Sequence, residues 1–242
     1  MTRIALATAV AMEVADADEE LLMAHLPEAE LAAWDDPNVD WSRFDIVVLR
    51  STWNYTDHLD AFLAWIDHVS EVTRLINPAS VVRWNTDKRY LGELAQAGIP
   101  VVPTVYVEPG GDVPADALAG HVVVKPTVGA GSKGAALFRD DAVAAAAHAR
   151  QLHADGRIAM VQPYLDGVDA AGETALIYLN GTFSHAARKA AILSQEMSWS
   201  TGLYADEKVV PTTPTPAERA VADRLVADLA HRVPGGADIA YA

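Results

Sequence analysis

Residues 121–138 read HVVVKPTVGAGSKGAALF, and the run GAGSKG at 129–134 matches the pattern G-x-G-x-x-G. In a Rossmann fold this fingerprint follows a strand and opens a helix, usually near the start of a βαβ unit. Here the residues after Gly134 read AALF, which is typical of a strand, and the run lies in the middle of the chain. A Walker A loop needs Gly-Lys-Ser/Thr, whereas this chain has Ser132-Lys133-Gly134. The stretch therefore predicts a glycine-rich loop between two antiparallel strands.

The residues around this loop indicate phosphate binding. Glycines allow positive φ angles and a close backbone approach, so the N–H groups of such a loop can bind an anion. Lys125 ends the preceding apolar strand, where a buried ammonium group needs an anionic partner. Lys88 lies where a helix is predicted to begin, a position that the helix dipole makes unfavourable for a cation. A flexible hairpin without a ligand, and lysines exposed on the surface, are the alternatives for each feature alone.

A nucleotide hinge is the second predicted feature. The sequence MVQPYLDGVDAAGETALIYLNG at 160–181 has a strand that stops at Pro163, a short crossing segment, and a second strand that Glu173 opens. The backbone of such a crossing can hydrogen-bond an adenine edge, and a nearby carboxylate can bind ribose hydroxyls. The alternative for Glu173 is an ordinary charge at a strand edge.

Composition limits the classes of protein to consider. The chain has 242 residues, 51% of them hydrophobic, which suits one large α/β domain or two to three small lobes. It has no cysteine, so disulfides and zinc–sulfur sites are excluded. The formal net charge of −15, without a basic stripe, argues against nucleic acid as a partner.

The sequence also argues against a membrane. No apolar run reaches the ~18–20 residues that a membrane helix requires. The start, MTRIALATAVAM, has the layout of a short signal peptide, but acidic residues follow it and a buried first strand is the preferred interpretation. We therefore expect a cytoplasmic protein.

The pattern of apolar segments predicts an α/β lobe followed by an α+β region. Strands are expected at 3–8, 46–49, 74–77 and 101–107, and helices at 18–26, 57–72 and 85–98. This alternation is typical of a parallel sheet. After a Gly/Pro-rich joint at 108–116, the pattern predicts mainly antiparallel pairing, with a hairpin at Asn180-Gly181 and a helix that Thr215 caps.

The order of these features resembles the ATP-grasp superfamily, and the likeness covers essentially the whole chain. It implies a pre-ATP-grasp N-terminal lobe at 1–107 and an ATP-grasp region at 108–242, whose small central lobe (108–165) and C-terminal lobe (166–242) clamp ATP. Three peptides, at 34–65, 77–104 and 122–134, closely resemble the group that contains the O-ureido-D-serine cyclo-ligase of cycloserine biosynthesis.

The resemblance implies a role for each matching residue. Lys88 and Lys125 would hold the ATP phosphates, with Lys125 also near the adenine. The implied flap over the β- and γ-phosphates includes Gly129, Gly131, Ser132 and Gly134; the adenine hinge consists of Gln162, Pro163, Tyr164 and Leu165, with Glu173 on the ribose. Arg188, helped by Lys189, would meet the γ-phosphate and the substrate carboxylate.

A substrate-carboxylate site is expected in the loop that follows a strand of the first lobe, where open α/β sheets place their ligands. The residues of this loop are Arg50, Ser51, Thr52, Trp53 and Asn54. The alternative is a loop held in place by a buried Trp53.

The implied activity is that of an ATP-dependent carboxylate–amine ligase that acts through an acyl phosphate on a small amino-acid-like substrate. Related proteins are often dimers, so a homodimer is one expectation. The implied cofactors are ATP and Mg²⁺. The acidic residues that bind the metal in this superfamily are expected after Ala242. Three explanations for their absence from residues 1–242 are open: a truncated chain, a lost C-terminal tail, or a natural fragment. Residues 1–242 alone are then expected to bind nucleotide poorly and not to catalyse the reaction. A nucleotide-binding module without ligase activity, and more weakly an NAD(P)-dependent oxidoreductase, are the open alternatives.

Overall fold

The computed structural model describes residues 2–10, 17–190 and 209–240, which form two compact units. Unit 1 contains residues 1–84, 179–182 and 228–242, and unit 2 contains residues 85–178 and 183–227.

Unit 1 is built on a four-stranded sheet of order β2-β1-β3-β4 in which all the strands are parallel. Its strands are β1 (Ile4–Thr8), β2 (Ala29–Ala33), β3 (Ile46–Leu49) and β4 (Arg74–Ile76). Its helices are α1 (Ala17–His25), α2 (Leu59–Val72) and α3 (Ala79–Asn85). In a parallel sheet the carboxyl ends of all strands meet at one edge, which brings the loops after β1, β2 and β3 together.

An aromatic cluster forms the core of unit 1. Phe62 on α2 is 2% exposed, and its ring lies 5.2 Å from that of Trp34 and 5.6 Å from that of Trp65. Trp41 contacts Trp65 edge to face at 5.1 Å. The helix buries this face because Phe62, Trp65, Ile66 and Val69 recur every three or four residues.

The rest of the chain contains two further sheets, one of four strands and one of three. One has the order β5-β8-β6-β7 with antiparallel neighbours, and the other has the order β11-β10-β9. The strands are β5 (Val105–Val107), β6 (His121–Pro126), β7 (Ala136–Arg139), β8 (Ala159–Pro163), β9 (Glu173–Leu179), β10 (Thr182–Lys189) and β11 (Val209–Thr212). The helices are α4 (Tyr90–Gln96), α5 (Ala142–Ala154), α6 (Gly167–Ala171) and α7 (Pro216–Arg232).

The core of unit 2 lies between α5 and the central strands of the first of these sheets. Valines of β6 and β8 pack against small residues of α5, and these side chains are 0–3% exposed: Val122, Val124, Ala145, Ala149, Leu152, Ala159 and Val161. Alanines on α5 let the helix lie close to the sheet. This packing fixes β6 and β8, the two strands on which the candidate site is built.

The α/β and α+β class expected from the sequence is confirmed, with local differences. The loop 129–134 joins antiparallel strands β6 and β7, as predicted. β2 and α3 were not predicted. The strand expected at 101–107 is limited to β5, and it pairs antiparallel with β8 instead of joining the parallel sheet. The division into lobes at residue 107 stays a prediction.

The helix expected over 85–98 begins only at Tyr90. The Asp87 carboxylate accepts a hydrogen bond from the backbone N–H of Arg89 (3.0 Å), and the N–H of Lys88 donates to the carbonyl of Thr127 (2.9 Å). These bonds hold residues 87–89 outside the helix. Lys88 therefore precedes α4 and is not part of it, so the argument from the helix dipole does not apply to it.

Candidate active site

A cavity of about 370 Å³ lies in unit 2, between the glycine loop and the end of β8. Its lining residues are Lys88, Val102, Val123, Lys125, Pro126, Gly129, Ala130, Gly131, Ser132, Lys133, Ala135, Gln162, Pro163, Tyr164, Leu165, Val168 and Glu173. The volume falls within the range of small-molecule sites.

Two lysines meet in this cavity. The Lys88 ammonium donates to the carbonyl of Gly129 at 2.6 Å. Burial, together with repulsion from Lys125, lowers the pKa of Lys88 to about 8, although Asp87 opposes the shift. Burial also lowers the pKa of Lys125, partly offset by Glu173. Two desolvated ammonium groups in one cavity favour an anionic ligand, because such a ligand would relieve both costs.

Backbone contacts fix the position of Lys88. Besides its N–H bond to Thr127, its carbonyl accepts from the hydroxyl of Tyr106 at 3.1 Å. Thr127 is 2% exposed, and its own N–H donates to the carbonyl of Ile158 (3.0 Å). Lys88 is thus tied to the end of β6 and to the segment before β8.

Both ends of the glycine loop lie beside the ring of Pro126. A Cβ added at Gly129 would lie 3.2 Å from Pro126, and one added at Gly134 would lie 3.3 Å from the same ring. Gly134 also has a φ of +75°, which glycine adopts without strain. Both ends of the loop therefore favour glycine, while the residues between them form a tip beside the lysines.

Polar contacts fix the position of the hinge at 162–165. Gln162 donates to the hydroxyl of Thr104 at 2.8 Å, and the N–H of Tyr164 donates to the carbonyl of His121 at 2.8 Å. The Tyr164 hydroxyl donates to Asp169, and Arg139 lies over the Tyr164 ring at 5.3 Å. Burial and the bond to Asp169 raise the pKa of Tyr164 to about 12, so its hydroxyl stays protonated.

Arg188 and Lys189 lie on β10 and are not among the lining residues of the cavity. The Arg188 guanidinium donates to the carbonyl of Ala171 at 2.7 Å. Between Ala171 and Glu173, Gly172 has a φ of +68°, and a Cβ there would collide with the carbonyl of Lys189. This close approach brings the basic end of β10 beside the first residue of β9.

The predicted nucleotide-binding residues are largely brought together. Ten of the eleven line the cavity, and the exception is Gly134, which supports the base of the loop. The apolar walls of the cavity, Val102, Val123 and Val168, were not predicted from the sequence. Val123 could have been found, because it lies two strand positions before Lys125 and shares its face.

The predicted substrate loop lies in unit 1, after β3. Ser51 is fully buried and its hydroxyl contacts Thr8 (3.2 Å) and Glu19. The Asn54 side chain accepts from Trp34 Nε1 and donates to Asp35, both at 2.7 Å. These contacts anchor the loop to the ends of β1 and β2.

Arg50 is the member of this loop that lines a separate cavity of about 360 Å³. The other lining residues are Asp18, Leu21, Leu22 and His25 of α1. The Arg50 guanidinium lies 3.7 Å from Asp18. Of the remaining predicted residues, Thr52 is buried and Trp53 is half-buried at the start of a 3₁₀ helix, Trp53–Thr56.

Within residues 2–10, 17–190 and 209–240, no three His, Cys, Asp or Glu side chains are grouped so that they could hold a metal ion. In the same ranges, no helix has both the length and the apolar character needed to cross a bilayer.

Comparisons with known proteins identify the fold. The structure matches the crystal structure of a RimK domain protein ATP-grasp from Sphaerobacter thermophilus with a TM-score of 0.62 and 19% identity, over 93% of this chain and 81% of that chain. It also matches D-alanine–D-alanine ligase from Bacillus anthracis with a TM-score of 0.62 and 13% identity, over 100% of this chain and 81% of that one. The chain has the ATP-grasp fold.

A narrower family is also shown. The crystal structure of D-cycloserine synthetase DcsG matches with a TM-score of 0.83 and 37% identity, over 96% of this chain and 83% of that chain. Residues 4–77 match the family model described as D-cycloserine synthetase DcsG, N-terminal domain. The cycloserine biosynthesis protein DcsG of Streptomyces lavendulae is 46% identical over 174 residues, 68% of this chain and 58% of that protein. The chain belongs to the D-cycloserine synthetase DcsG family, and it spans 58% of the length of this curated relative.

Proposed function

We propose that the protein is an ATP-dependent ligase that joins a carboxylate to an amine through an acyl phosphate. The observation that carries this proposal is the pair of desolvated lysines, Lys88 and Lys125, beside a glycine loop in one cavity. Membership of the DcsG family supports it and favours an amino-acid derivative as substrate, with closure of O-ureido-D-serine to D-cycloserine as the specific reaction.

In the proposed complex each wall of the cavity binds one part of ATP. The two ammonium groups neutralise phosphate charge, and the N–H groups of residues 129–134 hydrogen-bond phosphate oxygens. The apolar walls and the 162–165 hinge bind the adenine, and Glu173 binds the ribose. Gln162 supports the hinge through its bond to Thr104.

The proposed reaction balances as two displacements. A carboxylate oxygen of the substrate attacks the terminal phosphorus, and the bond to ADP breaks. The amine then attacks the acyl carbon, inorganic phosphate leaves, and the amine loses a proton. Arg188 and Lys189 would stabilise the phosphoryl group in the first step, and no protein nucleophile is needed. An amine-type nitrogen on the same molecule gives a ring. With O-ureido-D-serine this nitrogen is the one bonded to the side-chain oxygen, and hydrolysis of its carbamoyl group, which consumes water and releases ammonia and carbon dioxide, completes D-cycloserine.

The remaining parts of the proposal rest on the family. Arg50 and the loop up to Asn54 would bind the substrate carboxylate in unit 1. Dependence on Mg²⁺ is expected from ATP-grasp proteins, but we assign no step to it because the described residues gather no ligand set. A homodimer and a cytoplasmic location stay predictions.

One observation favours a second candidate, a nucleotide-binding module without ligase activity. Among the described residues no three His, Cys, Asp or Glu side chains are grouped as metal ligands, whereas phosphoryl transfer normally depends on bound metal ions. The match of GAGSKG to G-x-G-x-x-G does not support an NAD(P)-dependent oxidoreductase, because this run joins two antiparallel strands.

The test combines binding and turnover. Isothermal titration of the full chain with ATP, ADP and NAD, with and without Mg²⁺, is compared with phosphate release in the presence of O-ureido-D-serine. Binding of ATP and ADP with substrate-dependent phosphate release supports the ligase, and binding without release supports the module. Binding of NAD but not ADP would refute both.

A pair of variants tests the site. Lys125→Ala removes a buried cation from the cavity and should abolish measurable ATP binding. Arg150→Ala removes an exposed cation from α5 and should leave binding unchanged. Unchanged ATP affinity in Lys125→Ala would contradict the site.

A further inference from the structure

A buried histidine on α5 contacts the base of the glycine loop. His148 is 5% exposed, and its Nε2 lies 2.9 Å from the carbonyl oxygen of Gly134. A polar ring in a helix face of alanine and leucine is costly to bury unless it is hydrogen-bonded. The bond to Gly134 therefore accounts for the polar side chain at this position.

Gly134 is the residue at which the loop returns to the sheet. A Cβ added at Gly134 would lie 3.3 Å from the Pro126 ring and 3.6 Å from the Leu152 side chain of α5. The chain then passes through Ala135, which lines the cavity, into β7. α5 thus touches the base of the loop through both Leu152 and His148.

The orientation of the imidazole is set by its neighbours. The ring of Phe138, on β7, lies 5.7 Å from that of His148. Burial lowers the pKa of His148, so the ring is neutral near pH 7. Because a carbonyl only accepts, the Nε2 atom carries the hydrogen and donates it.

We propose that His148 is a positioning residue for the phosphate-binding loop: its N–H holds the Gly134 carbonyl and so fixes the tip, residues 130–133, over the phosphates. This inference rests on the proposed ATP site. A misplaced tip loses bonds to the β- and γ-phosphates, while adenine and ribose contacts stay in place.

The same helix offers a matched control. His153 is also on α5, and its Nε2 lies 3.0 Å from the carbonyl oxygen of Val107, away from the loop. Removing either histidine breaks one imidazole–carbonyl bond of α5, so both changes should lower stability. Loss of His148 alone should change phosphate recognition.

The experiment measures dissociation constants of AMP, ADP and ATP by isothermal titration of the full chain. His148→Leu should weaken ADP and ATP about five- to tenfold, the effect of one lost hydrogen bond, and leave AMP unchanged. His153→Leu should leave the ADP-to-AMP ratio as in the wild type. Hydrogen exchange at the amides of residues 130–135 should become faster in His148→Leu only.

A second pair of variants tests the inference if His148→Leu does not fold. The amide nitrogen of Gln reaches the place of Nε2, whereas that of Asn reaches only the place of Nδ1. His148→Gln should therefore keep the wild-type ADP-to-AMP ratio, and His148→Asn should lose it. Equal ratios in both variants would overturn the inference.

The outcomes also separate this inference from the proposed function. A wild-type protein that prefers ADP over AMP, with variants of His148 that keep that preference, refutes the role of His148 alone. A wild-type protein that binds none of the three nucleotides refutes the ATP site and this inference with it.

Discussion

Lys88 is buried as a charged group that is close to losing its proton. Its pKa of about 8 means that it is an ammonium ion at pH 7 and largely neutral at pH 9.5. Since phosphate oxygens bind the charged form, we expect ADP affinity to fall as pH rises over this interval. In Lys88→Arg the guanidinium stays charged, so the loss should be much smaller. Titrations with ADP at the two pH values test this, and equal slopes in both proteins would contradict it.

As pH rises, the contribution of Lys88 to folding stability changes in the opposite direction to its contribution to ADP affinity. The unfolded chain keeps the ordinary lysine pKa of 10.5, so between pH 8 and 10.5 it binds more protons than the folded chain. The contribution of Lys88 to the free energy of unfolding therefore rises with pH over that window. Denaturant titrations of the wild type and of Lys88→Met should differ by this slope.

Gly172 should be intolerant of any side chain. Its φ of +68° disfavours other residues, and an added Cβ would collide with the Lys189 carbonyl. We expect Gly172→Ala to cost more than about 2 kcal/mol of unfolding free energy and to reduce phosphate release by displacing Arg188.

The control for Gly172 is Gly156, with a φ of +72° and no atom within 4 Å of an added Cβ. Gly156→Ala carries the backbone strain without the collision. It should therefore cost about 1 kcal/mol and leave phosphate release unchanged. Equal losses in both variants would show that strain alone acts at Gly172.

Individual site residues differed in how far the sequence revealed them. Lys125 and the glycine loop could be predicted, because a cation at the end of an apolar strand and a glycine run are local signals. Gly172 could not, since its requirement comes from the carbonyl of Lys189, seventeen positions later in the chain. His148 appears in the sequence only as one polar residue among alanines.

A capping box begins α7. The N–H of Glu218 donates to the Thr215 hydroxyl (3.2 Å), and the N–H of Thr215 donates to the Glu218 carboxylate (2.6 Å). We expect Thr215→Ala to lower the free energy of unfolding by about 1 kcal/mol, measured by urea titration. Thr213→Ala, at an exposed position just before the cap, should cost little. Equal costs would argue against the cap.

Glu218 adds a pH dependence to the same cap. Hydrogen bonds from Thr174 and Thr215 lower its pKa to about 2. A lowered carboxyl pKa contributes stability that is present above the ordinary value of 4.5 and is lost as pH falls towards 2. Glu218→Gln should reduce the slope of stability with pH in that window.

Helices and strands with their own periodic pattern were predicted well, and those defined by tertiary contacts were not. α2 and the Asn180-Gly181 hairpin carry their signals locally. The sequence of β2, AELAA, favours a helix, and it is a strand because β1 pairs with all five of its residues. Likewise β5 lies in an antiparallel sheet because β8 accepts it, which no local pattern in 101–107 indicates.

Each of the two units has its own core, so a substitution that destabilises one unit should leave the other unit folded. Phe62 is central to the aromatic cluster of unit 1. We expect Phe62→Ala to lower the stability of unit 1 by about 3–5 kcal/mol, seen as faster hydrogen exchange in β1 to β4.

Binding of ADP should survive this change, because the described residues that line the proposed nucleotide cavity all lie in unit 2. Val143→Ala, at a side chain that is 80% exposed, provides the control and should alter neither property. Loss of ADP affinity in folded Phe62→Ala would contradict the assignment of the cavity to unit 2.

The ring of Pro126 lies beside both Gly129 and Gly134, the two ends of the glycine loop. We expect insertions in the tip, residues 130–133, to be tolerated, because lengthening a loop whose ends are already fixed costs little, about 0.6 kcal/mol for each doubling. Loop tips of different length should therefore be accommodated beside the same proline ring.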